Sequence, residues 1–114
     1  NHQVAVFTVC NVDKDYSVGR DKACAAARWY FGDNDSMLQK QRRVAVDLNR
    51  TDEQLVRDGM VTGGDVDSVC RSIERWAELG LDQMLLMIQA GTTSHDDVMR
   101  ALDLLGSKVL PRFQ

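Results

Sequence analysis

The segment Met84–Ile88 is apolar at every position, and it constrains the fold of this chain more than any other feature. A strand with one face in water alternates apolar and polar residues, whereas a continuous apolar run is typical of a strand that is covered on both faces. Amphipathic stretches with helical spacing lie before and after this run. The sequence therefore predicts a strand in a sheet against which helices pack.

The same alternation of strands and helices extends along the chain. Strand candidates are residues 4–10, 60–62 and 84–88, and helix candidates are residues 23–30, 66–77 and 94–105. Asp65 can cap the second helix, Ser94 with Asp97 resembles a capping box for the third, and Gly80 fits the position just past a helix end. Residues 36–58 are polar and rich in Arg and Gln, and their less regular pattern indicates helical pieces without clear boundaries. Strands that alternate with helices predict an α/β fold with a parallel sheet, either doubly wound or a (β/α)8 barrel.

Length and composition exclude several classes of protein. The 114 residues suffice for one domain, and the net charge of −3 offers no basic surface for nucleic acid or an anionic membrane. No apolar run approaches the roughly 18 residues of a spanning helix. The N-terminus is not a signal peptide, and Asn1 in place of Met hints at a longer polypeptide, although processing would leave the same start. Three cysteines without a C-x-x-C pair predict reduced core thiols in a cytoplasmic protein.

Several fragments of the second half resemble, in their order and spacing, the end of the bacterial-luciferase-like flavin monooxygenases. They are Leu55-Val56-Arg57-Asp58-Gly59, Val61-Thr62-Gly63-Gly64-Asp65-Val66-Asp67-Ser68-Val69, Gly80-Leu81-Asp82-Gln83-Met84-Leu85-Leu86-Met87, Gln89-Ala90-Gly91 and the tail Val109-Leu110-Pro111-Arg112-Phe113. The resemblance implies that residues 1–114 are a single C-terminal segment of a luciferase-like (β/α)8 TIM barrel. It would contain about the last three βα units, with strands six, seven and eight.

The resemblance also implies an activity for the complete enzyme. Such enzymes use reduced FMN, usually supplied by a separate flavin reductase, and dioxygen to oxygenate a small organic substrate. Some relatives use F420 and transfer hydride, and nothing in the sequence excludes that alternative. A non-catalytic flavin-binding or structural fragment, or an unrelated small α/β binding domain, also stays open. Because a complete barrel needs roughly 250 residues, the isolated chain is expected to be inactive and to pair with the remainder of the barrel or with another copy of itself.

The chemistry of barrel enzymes lies at the carboxyl ends of the strands. The residues at these ends, and the predicted cofactor contacts, are Cys10, Asn11, Gly63, Gly64, Gln89 and Gly91. At Cys10 the competing interpretation is a packed core thiol, and at Gln89 it is a buried amide that bonds to loop backbone.

Two of these loops resemble phosphate cradles, because glycines precede a helix N-terminus. Asp65 and Asp67 begin the helix after Gly63-Gly64, and Ser94, Asp96 and Asp97 begin the helix after Gly91. Carboxylates at these positions would repel a dianion and already satisfy the helix dipole. We therefore expect the flavin phosphate to be held by residues outside this chain.

No catalytic residue is assigned from the sequence. It contains no Ser/His/Asp set, no catalytic carboxylate pair and no metal-ligand spacing. His95 is expected to be a solvated or capping histidine rather than a general base. The basic cluster Lys40, Arg42 and Arg43 suggests a solvated face, with a phosphate or reduced-nicotinamide contact as the minority interpretation. Trp29 and Trp76 are expected to pack in the core or against helices.

Overall fold

The computed structural model describes residues 3–33, 50–91 and 93–113. Its strands are β1 (Ala5–Val12), β2 (Val61–Gly64) and β3 (Gln83–Met87), and its α-helices are α1 (Tyr16–Arg28), α2 (Asp52–Arg57), α3 (Val66–Glu78) and α4 (His95–Leu104). Trp29–Asp33 and Leu105–Val109 are π-helical turns, and Leu110–Phe113 is a 3-10 turn. The cluster Lys40, Arg42 and Arg43 lies outside the described residues.

The three strands form one parallel sheet with β1 in the middle, in the order β2-β1-β3. β1 pairs with β2 through its carboxyl half, from Val9 opposite Val61 to Val12 opposite Gly64. It pairs with β3 through its amino half, from Ala5 opposite Gln83 to Val9 opposite Met87. The predicted α/β class with a parallel sheet is confirmed.

The strand order departs from one implication of the barrel resemblance. Three consecutive barrel strands would be neighbours in chain order, whereas here β1 separates β2 from β3. Helices also cover both faces of the sheet: Val9 packs with residues of α1 and α2, while Cys10 and Val12 pack with residues of α3 and α4. A parallel sheet with helices packed against its strands is the arrangement that the sequence predicted for an α/β fold.

The predicted second strand is one point where the sequence interpretation was wrong. It was expected to stop before Gly63 and Gly64, but both glycines belong to β2. A Cβ atom on Gly63 would lie 2.7 Å from the Cβ atom of Ala23, and one on Gly19 would collide with the carbonyl oxygen of Gly64. The glycines thus allow α1 to cross β2 in direct backbone contact, rather than ending the strand.

The local signals for helix ends are confirmed. Asp65 caps α3 by accepting a hydrogen bond from the Ser68 amide at 2.9 Å, and Ser94 caps α4 by accepting from the Asp97 amide at 3.1 Å. Gly80 follows α3 with a φ of 83°, the left-handed conformation expected just past a helix end. The thiols of Cys10, Cys24 and Cys70 are free and buried, as predicted.

β3 is less protected than β1. Leu85 is 49% exposed and its register partner Phe7 is 41% exposed, so part of this apolar strand faces water. The sequence predicts this exposure for a barrel segment without its neighbours. Among the described residues, no helix is both long enough and apolar enough to cross a membrane.

The contact between α1 and β2 generates a stability prediction. Gly63→Ala should lower the free energy of unfolding by about 1–3 kcal/mol, because the new methyl group enters a space that Ala23 already fills. Gly106→Ala is the matched control, since a Cβ atom there meets nothing within 4 Å. Urea denaturation followed by circular dichroism measures both variants. Equal stability of the two variants would contradict the close packing described for Gly63.

Candidate functional site

β1 extends past the end of β3, so the carboxyl end of β1 has no strand partner on that flank. β3 ends at Met87, opposite Val9, so no β3 residue lies beside positions 10–12 of β1. After Met87, Ile88 packs against the buried cluster of Cys10 and Val12, and Ala90 packs with the buried residues on the α1 side. We call the flank of residues 10–12 beyond the end of β3 the strand gap; these three residues are 1–2% exposed.

Two backbone groups of β1 point toward the strand gap. The amide of Val9 donates to the Met60 carbonyl and the amide of Asp13 donates to the Gly64 carbonyl, so the odd-numbered residues here direct their polar groups to β2. In a parallel ladder alternate residues face opposite neighbours. The carbonyl of Cys10 and the amide of Val12 therefore point the other way, to the side that β3 has left.

The connections on either side of the strand gap diverge. α1 follows β1 and packs on one face of the sheet, whereas α4 follows β3 and packs on the other. In open α/β sheets, ligands bind outside the carboxyl ends of two adjacent strands whose connections separate in this way. Topology alone thus makes the strand gap the candidate binding site.

Asn11 adds a side chain to this candidate site. It is 2% exposed and lies on the α1 side of the sheet, the side of Val9. Its Nδ2 atom is fully enclosed and has no hydrogen-bond partner in the described part of the chain. A buried donor without a partner costs about 1–3 kcal/mol. Groups of this kind are found where a protein keeps a donor for a ligand or an ordered water.

An ion network joins the elements around the strand gap. The Lys22 ammonium of α1 lies 2.6 Å from a carboxylate oxygen of Asp97 in α4. The Arg100 guanidinium lies 3.0 Å from the same Asp97 oxygen and 3.3 Å from Asp13, the first residue after β1. The hydrogen bond from Lys22, followed by those from Ser94 and Arg100, lowers the pKa of Asp97. The network ties α1 to α4 and balances two positive charges against two negative ones.

Of the six predicted contacts, Cys10, Asn11 and Gln89 lie at or beside the strand gap. The Cys10 side chain points to the opposite face of the sheet, where burial raises the pKa of its thiol to about 12. Its sulfur is in the environment of a packed thiol, and only its carbonyl faces the gap. Gln89 is exposed in the loop that borders the gap, so it is not the buried amide of the competing interpretation.

The glycines have packing roles in the described structure. Gly63 and Gly64 lie on the β2 side of β1, where Gly64 contacts the ring of Tyr16 and adopts a φ of 137°. Gly91 adopts a φ of 60°, and a Cβ atom there would lie 3.0 Å from Trp29. It therefore turns the loop after β3 against Trp29, the first residue after α1. His95 is exposed in the first turn of α4.

A separate groove of about 460 Å³ lies between α2 and α3. Arg57, Arg71 and Arg75 line it together with Glu53, Glu74 and Glu78, so its charges are mixed. Apart from Tyr16, its lining comes from α2 and α3, and the buried amide of Asn11 is not part of that lining. We therefore consider the strand gap the better candidate.

The sequence did not single out Asp13, Lys22, Asp97 and Arg100 as a group. Lys22 and Asp97 are separated by 75 positions, and each has the surroundings of an ordinary surface charge in the sequence. Only their convergence across the sheet identifies them. No local spacing could have revealed the network.

Comparison with solved structures identifies the fold. The monooxygenase RslO1 from Streptomyces bottropensis matches 100% of this chain and 32% of its own, with a TM-score of 0.73 and 16% sequence identity. The coenzyme F420-dependent tetrahydromethanopterin reductase from Methanopyrus kandleri matches 98% of this chain and 36% of its own, with a TM-score of 0.60 and 21% identity. No model of a known sequence family and no curated protein matches the chain.

These identities show the fold alone. The two neighbours have the luciferase-like fold, and this chain has the α/β fold of a segment of such a TIM barrel. It spans about a third of the length of each structure.

The unpaired amide of Asn11 generates a stability prediction. Asn11→Leu should leave the free energy of unfolding unchanged or raise it, because an apolar side chain of similar size removes a donor that has no partner. Thr8→Val is the matched control on the same strand. It should lower the free energy of unfolding by about 1–2 kcal/mol, since the Thr8 hydroxyl bonds to Thr62 and to the Met60 carbonyl. Thermal unfolding of both variants measures the difference; destabilisation by Asn11→Leu as large as that by Thr8→Val would show that the amide is satisfied.

The ion network generates a pH prediction. Because the pKa of Asp97 is lower in the folded chain, its contribution to stability is present above the unfolded value of about 4 and is lost as the pH falls through the folded value. Asp97→Asn should therefore be less stable than the wild type near neutral pH, and the two should converge in acid. Asp96→Asn, at an exposed neighbour, is the control. A stability difference for Asp97→Asn that did not change with pH would argue against this role.

Proposed function

We propose that the chain is the C-terminal part of a flavin-dependent monooxygenase that uses reduced FMN and dioxygen to oxygenate a small organic substrate. The observation that carries this proposal is the likeness in fold between the entire chain and a third of a monooxygenase. The resemblance of residues 55–113 to luciferase-like enzymes is an independent argument from the sequence. On this proposal a separate flavin reductase supplies the reduced cofactor.

The described residues fit part of such a cofactor. The enclosed Asn11 amide, a donor without a partner among the described residues, suits an acceptor atom of such a ring. A phosphate fits poorly, because Asp65 and Asp67 begin α3 and Gly63 has no space beside it. Bound reduced flavin would supply electrons for oxygen chemistry, while this chain would orient the ring and exclude water. The phosphate would be held by residues outside the chain.

The second candidate is an F420-dependent oxidoreductase that transfers hydride. The likeness to an F420-dependent reductase, with 21% sequence identity over 98% of this chain, favours it. The described residues offer no feature that selects between them.

The proposed partner of the chain is the remainder of the barrel, with a second copy of the chain as the alternative. The chain spans about a third of its structural neighbours, and Phe7 and Leu85 expose apolar surface beside the outer edge of β3. An apolar strand edge of this kind associates with another chain unless it is covered. Association with the remaining strands would cover it.

Native mass spectrometry, followed by a denaturing spectrum, tests the assembly. We expect a mass above 12.8 kDa, from a longer polypeptide or a complex, together with bound flavin or F420. A flavin-free, folded monomer of 12.8 kDa would contradict the barrel segment and favour a self-contained binding domain.

Turnover then separates the two candidate activities. The natural polypeptide that carries these residues is assayed for substrate-dependent oxidation of reduced FMN by dioxygen and, in parallel, for substrate-dependent reduction of F420. We expect the first activity. F420 reduction alone would select the second candidate, and binding without either activity would indicate a structural or flavin-binding segment.

A further inference from the structure

We propose that the face of α3 that lines the groove beside α2 is an interface, at which two copies of the polypeptide pair about a twofold axis. This face carries four charged residues, Arg71, Glu74, Arg75 and Glu78, which we call the charge stripe. The inference goes beyond the proposed function, because α3 contains none of the predicted cofactor contacts.

The charge stripe is a continuous row on the free side of α3. Its members follow one another at intervals of three, one and three positions, so they lie along one face of the helix. All four are exposed, and all four line the groove of about 460 Å³. Val69 and Cys70, on another face of the helix, are buried against the sheet.

The charges of the stripe are not paired within the described part of the chain. The Arg71 guanidinium donates to the Ser68 hydroxyl at 3.1 Å, and the Arg75 guanidinium donates to the Ser72 hydroxyl at 3.2 Å. Both arginines are thus held by serines of the preceding turn. Among the described residues, no member of the stripe forms an ion pair.

The order of the charges is unfavourable for α3 on its own. Arg71 and Arg75 are four positions apart, and so are Glu74 and Glu78. Like charges at this spacing are neighbours on a helix surface and destabilise it. A partner surface that presents the opposite sign at each position would remove this repulsion.

A second copy of α3 presents those signs when it lies antiparallel to the first. With the twofold axis between positions 74 and 75, Arg71 faces Glu78 of the second copy, and Glu74 faces Arg75 of the second copy. Symmetry generates the other two pairs, because a twofold interface uses the same patch on both molecules. A parallel pair in register would instead place like charges opposite each other. The charge stripe is therefore complementary to itself in one orientation.

Apolar residues beside the stripe supply contact area. Leu79, the residue after Glu78, is 75% exposed. In the antiparallel pair it reaches the turn of the second copy that carries Arg71, where contact removes its apolar surface from water. Val56 of α2 lines the groove on the other side. Since exposed ion pairs contribute little affinity, we assign the affinity to these apolar contacts and the orientation to the charges.

Sedimentation equilibrium of the natural polypeptide that carries these residues tests the interface. We expect a reversible dimer, with twice the mass of one polypeptide. Its dissociation constant should rise roughly tenfold as the salt concentration increases from about 0.05 M to about 1 M, because salt screens exposed charges.

Charge reversal identifies the surface. Arg75→Glu and Glu74→Arg each place like charges opposite each other at two symmetric positions, so each should weaken dimerisation by about tenfold or more. An equimolar mixture of the two variants should dimerise as the wild type does, since opposite charges face each other again in the mixed pair. Lys108→Glu is the matched control: it makes the same change of charge at an exposed residue outside the stripe and should leave dimerisation unchanged.

The mixture separates an interface from a loss of folding, because two misfolded variants would not restore each other. A wild-type protein that stays monomeric at every concentration would overturn the inference. A dimer that neither reversal weakens, or a mixture that associates no better than each variant alone, would overturn it too. None of these outcomes bears on the proposed function, which the oxidation of reduced FMN and the reduction of F420 test independently.

Discussion

α1 crosses β2 in backbone contact, and this contact fixes how closely α1 lies against the sheet. Gly19 and Gly63 have no side chains where the two elements meet, and Ala23 fills the space that remains. On its β2 side, the carboxyl half of β1 is paired with β2 from Val9 to Val12. On the β3 side, residues 10–12 of β1 have no strand partner among the described residues.

The candidate site results from unequal strand lengths rather than from a motif. β1 has 8 residues and β3 has 5, and their shared register ends at Val9. Gly91 adopts a left-handed conformation that turns the following loop against Trp29, and Ala90 is buried on the α1 side. The loop therefore leaves the sheet instead of extending the ladder. Lys22, Asp97 and Arg100 then hold the two diverging helices together at this end.

The likeness to two oxidoreductases shows the fold that surrounds this site, but it does not show which reaction takes place there. At 16% and 21% identity, the shared feature is the path of the backbone. Among the described residues, Cys10 is a thiol whose raised pKa keeps it protonated, and His95 is exposed beside acidic neighbours.

The sequence by itself determined the element types outside residues 36–58, the caps at Asp65 and Ser94, the turn at Gly80 and the buried thiols. Each of these depends on residues within about one helical turn, or on the apolar character of a single stretch, so a local pattern is sufficient. The tertiary structure alone decided that β1 is central, that Gly63 belongs inside a strand and that Lys22 meets Asp97. These features arise from contacts between residues tens of positions apart. Their geometry is set by how helices and strands of given length pack, a property that no local pattern contains.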